Sequence, residues 1–267
     1  MLRDITIGQY YQTESVIHKL DPRVKIGGTL LYIISLFLFE NAWGYILAAL
    51  FLAMVIRLSN VPFKFMVRGM KSILFLLMIT VIFNLFLTPG EVLISFWKLK
   101  ITKEGLKMAI SMAFRLSFLI IGSSVMTLTT TPNNLTDGME KMMSPLKIFK
   151  VPVHEVAMMM SIALRFIPIL MEETDKIMKA QIARGADFET GGLIKRAKAL
   201  VPLLVPLFIS AFRRANDLAM AMEARCYRGG EGRTKMKPLV YRKRDYLAYM
   251  ILAVYLTVKI IVGIYLR

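Results

Sequence analysis

Five apolar runs decide what this chain can become. They lie at about Val24–Phe39, Ala42–Leu58, Ser72–Thr88, Leu106–Leu128 and Tyr246–Leu266. Each approaches the roughly twenty residues that a helix needs to cross the hydrocarbon core of a bilayer. In that medium the backbone must satisfy its own hydrogen bonds, so such runs fold as helices. The first three are short for a span, and only Glu40-Asn41 separates the first two, which demands a tight antiparallel hairpin. Pro62, Pro89 and Pro132 fall in connections, where a missing N–H costs little. The predicted fold class is therefore an all-α integral membrane protein with about five transmembrane helices. With 56% hydrophobic residues the 267-residue chain is too apolar for an ordinary soluble domain.

Charge then orients these spans. Of 35 Lys and Arg, 20 fall between Thr129 and Asp245, and eight lie from Arg3 to Lys71. Arg3, Lys19, Arg23 and Lys25 precede the first span, which places the N-terminus in the cytoplasm. Arg57, Lys64, Arg68 and Lys71 agree, whereas Lys98, Lys100, Lys103 and Lys107 fall on the outer side and disagree. The assignment stands because four spans then leave the large basic region inside, and the last span returns the tail to the exterior. The predicted location is a bacterial or archaeal inner membrane, with three segments: 1–128 as a membrane domain, 129–245 as a cytosolic helical domain, and 246–267 as a final span. The polar first 23 residues show no cleavable signal peptide, so the first span serves as an uncleaved one.

The 129–245 segment interleaves its 20 basic and 12 acidic residues with apolar ones at helical spacing. A short helix is predicted from about Asn133 towards Ser144-Pro145, and a second from Val153 to Ala186. Val156, Met160, Ala163, Ile167, Leu170, Ile177 and Ile182 form its apolar stripe. Gly191-Gly192 marks a break before a third helix through Arg225, which Pro202 and Pro206 bend or divide. Stripes of this kind bury against one another, the membrane surface or a partner.

Catalytic chemistry finds little support. His154-Glu155 lacks the second His of a metallopeptidase helix, and no P-loop or nucleophile elbow occurs. The single cysteine, Cys226, excludes an internal disulfide and any multi-cysteine metal site. Of the two histidines, His18 and His154, the second is expected to be a helix-start residue. No nucleic-acid motif accompanies the net charge of +17. Arg115, within the fourth span, is expected to bond neighbouring carbonyls or Asn84. Arg165 is expected to pair with Glu172 or Glu173. Met139, Met142, Met143, Met158, Met159, Met160, Met220 and Met222 suit either surfaces that repack or plain core and lipid filling.

Two segments in the basic region share one pattern: Ala180-Gln181-Ile182-Ala183-Arg184-Gly185 and Ala221-Met222-Glu223-Ala224-Arg225-Cys226. Both read Ala-x-x-Ala-Arg-small, with their arginines 41 positions apart. The first Ala lies one helical turn before the Arg, on the same face. Small residues permit close approach, and the guanidinium offers a planar fork for carboxylates or carbonyls. Two such plugs call for two similar sockets.

At these residues the chain resembles the transmembrane T component of energy-coupling factor transporters, the vitamin and transition-metal importers of the ABC superfamily. The resemblance covers nearly the whole length: Leu20-Asp21-Pro22-Arg23-Val24-Lys25, Thr131-Pro132, Leu164-Arg165-Phe166-Ile167-Pro168, Ala183-Arg184-Gly185 and Ala224-Arg225-Cys226-Tyr227. It implies a non-catalytic membrane scaffold with cytosolic coupling helices. Ala180, Ala183, Arg184, Gly185, Ala221, Ala224, Arg225 and Cys226 would dock into grooves of two ABC ATPase subunits, alike or different. It further implies that ATP and Mg bind those partners and that no cofactor binds this chain. A separate S component would capture the substrate. Cys226 stands where glycine or serine is common in that family. A component dedicated to cobalt, nickel or biotin fits equally, and a membrane-anchored scaffold unrelated to transport is the competing class.

Overall fold

The computed structural model describes residues 10–38, 41–96, 99–186, 188, 192–230 and 236–265. It is helical apart from one short hairpin. Eight α-helices are α1 (Pro22–Leu38), α2 (Ala42–Ser59), α3 (Phe63–Leu87), α4 (Lys103–Thr129), α5 (Pro132–Met142), α6 (Val153–Ala183), α7 (Leu193–Ala224) and α8 (Lys243–Tyr265). A 3₁₀ helix at Ser144–Phe149 precedes α6. Between α3 and α4, β1 (Val92–Phe96) and β2 (Leu99–Thr102) pair antiparallel. Hydropathy does not anticipate that hairpin; its β-branched and aromatic residues favour strand over loop. Thr102 joins it to α4, its Oγ1 accepting from the Gly105 N–H at 3.0 Å and donating to the Thr88 carbonyl at 2.9 Å.

The chain divides into two compact units. One holds the described residues of 8–142 and 239–267, the other those of 143–238. In the first unit, α1, α2, α4 and α8 meet around Tyr32, Leu36, Ala48, Leu52, Ile121, Leu252 and Tyr255. The Phe51 and Tyr255 rings stack with centroids 4.3 Å apart. A second cluster joins Val61 and Met66 to Val125 and Leu128 of α4. Phe39 and Glu40 of the expected hairpin lie outside the described residues. The antiparallel pairing itself is seen, since the Tyr32 hydroxyl donates to the Ala48 carbonyl at 3.5 Å. α5 packs on α1 within the same unit.

The Leu20–Lys25 segment is a staple. Asp21 caps α1: its Oδ1 accepts from the Arg23 N–H at 2.9 Å, and Pro22 occupies the first helical position. Arg23 grips the same carboxylate through Nε and Nη2, both at 2.9 Å, and lies 3.7 Å over the Tyr241 ring. Burial pushes the Asp21 carboxyl up, but the Arg23 hydrogen bonds and charge together bring it below its ordinary value. Asp245, only 1% exposed, accepts from the Asp21 N–H at 2.8 Å through Oδ1 and from the Arg242 N–H at 2.7 Å through Oδ2. The second bond caps α8 from its third residue. Lys25 Nζ closes the C-terminus of α4 by donating to the Thr129 carbonyl at 2.8 Å. Three helix ends are thus tied by residues more than a hundred positions apart in sequence.

Among the described residues, five helical segments are long and apolar enough to cross a membrane: α2, α4, α6, Lys198–Ala224 of α7, and α8. α1 has 17 residues, and the apolar part of α3 is Ile73–Leu87. The chain is a multi-pass membrane protein. The expected count of about five spans matches the number of such helices among the described residues. α6 and α7, read as amphipathic, qualify on length and composition too.

Arg115 is buried, and its Nη2 donates to the Tyr45 hydroxyl at 3.1 Å; Asn84 instead donates to the Thr80 carbonyl of its own helix. Bonding of Arg115 to Asn84, one of the expected options, is thereby replaced by a cross-helix bond to α2. Leu266, at the end of the expected final span, lies outside the described residues, as do Lys98 and Gly191.

Candidate functional site

The Ala-x-x-Ala-Arg segments occupy the C-terminal ends of α6 and α7. Arg184 is the C-cap of α6 and Arg225 the C-cap of α7. After Arg184 the backbone turns left-handed at Gly185, with φ +86°. The Gly185 N–H donates to the Ile182 carbonyl at 2.9 Å, and the Ala186 N–H to the Gln181 carbonyl at 2.9 Å. After Arg225 the turn falls on Cys226, with φ +55°. There the Cys226 N–H donates to the Glu223 carbonyl at 2.8 Å, and the Tyr227 N–H to the Met222 carbonyl at 3.0 Å. Each is a Schellman terminator, which satisfies carbonyls that the helix end would otherwise orphan.

This changes the reason for the small residue. Nothing lies within 4 Å of a Cβ built on Gly185, so within the chain glycine is required by φ and not by space. Cys226 adopts the same region at a cost that glycine avoids. The helix ends one turn before the expected Ala186 because the terminator sits at Gly185. Arginine at the cap also places a cation where the helix dipole favours one. All eight residues of the two motifs are exposed: Ala180, Ala183, Arg184, Gly185, Ala221, Ala224, Arg225 and Cys226.

The two ends are held far apart. Gln181 of α6 donates through Nε2 to the Pro202 carbonyl of α7 at 3.5 Å, and Glu173 pairs with Arg214 at 3.4 Å. Advancing along α6 therefore means retreating along α7, so the pair is antiparallel. Past α7, Gly230 sits against the His154 ring near the start of α6, where a Cβ would collide with it. From Pro202 to Arg225 is about 34 Å of helix at 1.5 Å per residue. The two arginine caps mark opposite ends of one helix pair.

Local spacing does not foresee the contacts between α6 and α7. Glu173, expected to pair with Arg165, takes Arg214 instead, because it lies on the face turned to α7. α7 runs unbroken through Pro202 and Pro206, so it is not divided. Pro206 lacks the N–H that would bond the Pro202 carbonyl, and Gln181 supplies a donor across the pair. The spacing of two prolines four residues apart is the sequence signal for such a freed carbonyl. Much of the expected stripe is left open: Val156, Met160, Ile167 and Ile182 are all exposed, and of α6 only Val153 and Ala157 are fully buried. Helices this apolar need a membrane or a partner to cover them.

The motifs outside the pair are punctuation as well. At Thr131-Pro132 the Thr131 hydroxyl accepts from the Asn134 N–H at 3.3 Å, and Pro132 opens α5. His154 is the second residue of α6.

The sequence model of the cobalt transport protein (CbiQ) family matches residues 13–236. A protein of Clostridium kluyveri is 57% identical over 263 residues, covering 98% of this chain and 97% of the relative. One of Ruminiclostridium cellulolyticum is 55% identical over 257 residues, 96% of each. One of Bacillus subtilis is 48% identical over 246 residues, 92% of this chain and 93% of its own. All three are named energy-coupling factor transporter transmembrane protein EcfT. With helix caps, span pattern and near full-length identity in agreement, the chain belongs to the family of energy-coupling factor transporter transmembrane proteins, the T components of those transporters.

Proposed function

We propose that the α6–α7 pair couples two separate ABC ATPase subunits to the membrane unit, and through it to an S component that carries a vitamin or other micronutrient. The observation that carries this reading is the pair of like-built, exposed arginine terminators at opposite ends of two packed helices. Each guanidinium presents a planar fork to carboxylates or carbonyls in an ATPase groove. Each left-handed turn ends the helix sharply, so the groove receives a blunt plug with small alanines beside it. ATP binding and hydrolysis belong to the partners; their closure moves the two sockets and hence the two helices. The exposed faces of α6 and α7, with Met159, Met160 and Met220 among them, repack as the S component docks and leaves. The basic excess in 129–245 supports a cytoplasmic location for this region and for the N-terminus.

The experiment is charge reversal. Arg184→Glu and Arg225→Glu, singly and together, should reduce ATPase co-purification and ATP-driven uptake, since losing one partner of a buried interfacial pair typically costs about 2–5 kcal/mol. Full assembly and uptake in the double variant overturns the proposal. The matching family's description as a cobalt transport protein favours a second reading, a component dedicated to one substrate. A substrate-binding gene beside this one would support dedication, and ATPase genes alone would support sharing.

A further inference from the structure

The four lysines of residues 98–107 oppose the charge bias of the rest of the chain, and two of them, Lys103 and Lys107, have a described setting. They lie one turn apart at the start of α4, both exposed. Below them the same face of α4 continues through Ile110, Phe114 and Phe118 and forms a groove of about 520 Å³ against α2. Ile46 of α2 is 50% exposed, Ile110 49% and Phe114 51%, so the groove faces outward from its unit.

From Lys103 to Phe118 the groove runs about 22 Å along the helix. One leaflet of hydrocarbon is about 15 Å deep, half the thickness of the core. The groove therefore spans one leaflet and reaches the headgroup layer, where its lysines sit. Its lining contains no carboxylate among the described residues. Glu104, the acidic neighbour in sequence, points elsewhere and accepts from the Glu91 N–H at 2.8 Å. Below the lysines, Tyr45 on the α2 wall accepts a hydrogen bond from buried Arg115.

We propose that this groove binds an anionic phospholipid of the bilayer, one acyl chain lying between α2 and α4 and the phosphate held by Lys103 and Lys107. The charge complementarity is specific in place: cations at the headgroup end only, apolar side chains along the rest. It also gives the misplaced lysines a purpose, because a lysine engaged with a lipid phosphate contributes little net positive charge to its side of the membrane.

The test is native mass spectrometry of the full chain released from micelles containing phosphatidylglycerol and phosphatidylcholine in equal amounts. The wild type should retain phosphatidylglycerol preferentially. The preference should fall roughly fivefold for Lys103→Gln or Lys107→Gln and roughly 25-fold for both, at about one elementary lipid–lysine attraction each. Lys103→Arg with Lys107→Arg should keep it, which separates charge loss from misfolding. Ala49→Trp, which fills the groove without touching the lysines, should abolish retention. Equal retention of the two lipids by the wild type overturns the proposal, as does undiminished preference in the double Gln variant or in Ala49→Trp. Displacement of the lipid by millimolar glycerol 3-phosphate would assign the lysines to a soluble phosphate and refute the lipid. Photo-crosslinking from position 110 to a partner protein in the intact complex, without lipid, would refute it in favour of a protein contact.

Discussion

Exchanging the residues at the two terminators should move their stability in opposite directions. Gly185 has φ +86° with nothing within 4 Å of the place a Cβ would occupy, so Gly185→Ala introduces no clash. It introduces the left-handed strain of a side-chain-bearing residue, about 1–2 kcal/mol, and removes the unfolded-chain freedom of glycine, about 0.5–1 kcal/mol, leaving a loss of about 0.5–1 kcal/mol. Cys226 bears that strain already, at φ +55°. Cys226→Gly removes it but adds the unfolded-chain freedom of glycine, about 0.5–1 kcal/mol, leaving a gain of about 0.5–1 kcal/mol. The readout is amide hydrogen exchange of the helix ends in detergent micelles, followed by mass spectrometry. The Gly185, Ala186, Cys226 and Tyr227 N–H groups close the two turns and report local opening directly. At about 1.4 kcal/mol per tenfold, Gly185→Ala should speed exchange at 185–186 by roughly two- to fivefold. Cys226→Gly should slow exchange at 226–227 by roughly two- to fivefold. Unchanged exchange in Gly185→Ala, or faster exchange in Cys226→Gly, would refute the view that the small residue serves backbone geometry.

Asp245→Ala orphans two backbone N–H groups, each costing about 1–3 kcal/mol, so denaturant unfolding in micelles should register a loss of about 2–6 kcal/mol; Asp245→Asn, which keeps one acceptor, should lose about half as much. His18 donates from Nε2 to the Tyr11 carbonyl at 3.0 Å and accepts the Ser15 hydroxyl at Nδ1, and burial, with nearby Lys25, lowers its imidazole below the ordinary value of 6.5. The unfolded chain then takes up a proton first, so stability should fall as pH drops from about 6.5 through the lowered value, and the slope should vanish in His18→Gln. The exposed Cys226 thiol should react with a maleimide in the isolated chain and be protected, at least tenfold in rate, when ATPase subunits are bound; equal rates would argue against docking at that end.

Much of the fold is legible because membrane helices are written in long apolar runs. Hydropathy places Ala42–Ser59 to within one residue, since nothing but composition sets it. It misses the start of α3 by nine residues because the first turns, Phe63 to Lys71, mix in charges that hydropathy discounts but helical hydrogen bonding accepts. The β-hairpin escapes notice because the fifteen residues between α3 and α4 look like any loop. At the candidate site the motif is visible in sequence, but its geometry is not: Arg-Gly reads as a plug when it is first a terminator. Glu173–Arg214 and Gln181–Pro202 could not be inferred, because local spacing says nothing about which face meets a second helix 21 or 41 residues away. The Leu20–Lys25 segment carries a family resemblance without a reason; Asp245, 224 residues downstream of Asp21, supplies it.

An antiparallel pair whose two C-termini end in the same way has an approximate dyad perpendicular to its plane. Rotation by half a turn exchanges Arg184 for Arg225 and Gly185 for Cys226. A single chain thus imitates one two-fold relation of a homodimer, although its two helices share no other sequence. On the proposed coupling role, partners docking on it can be identical subunits related by the same axis, each seeing an equivalent terminator. If the two partners differ, the imperfect match of Gly185 and Cys226 is where the chain can tell them apart. A chimera carrying Gly at both turns would be blind to that difference.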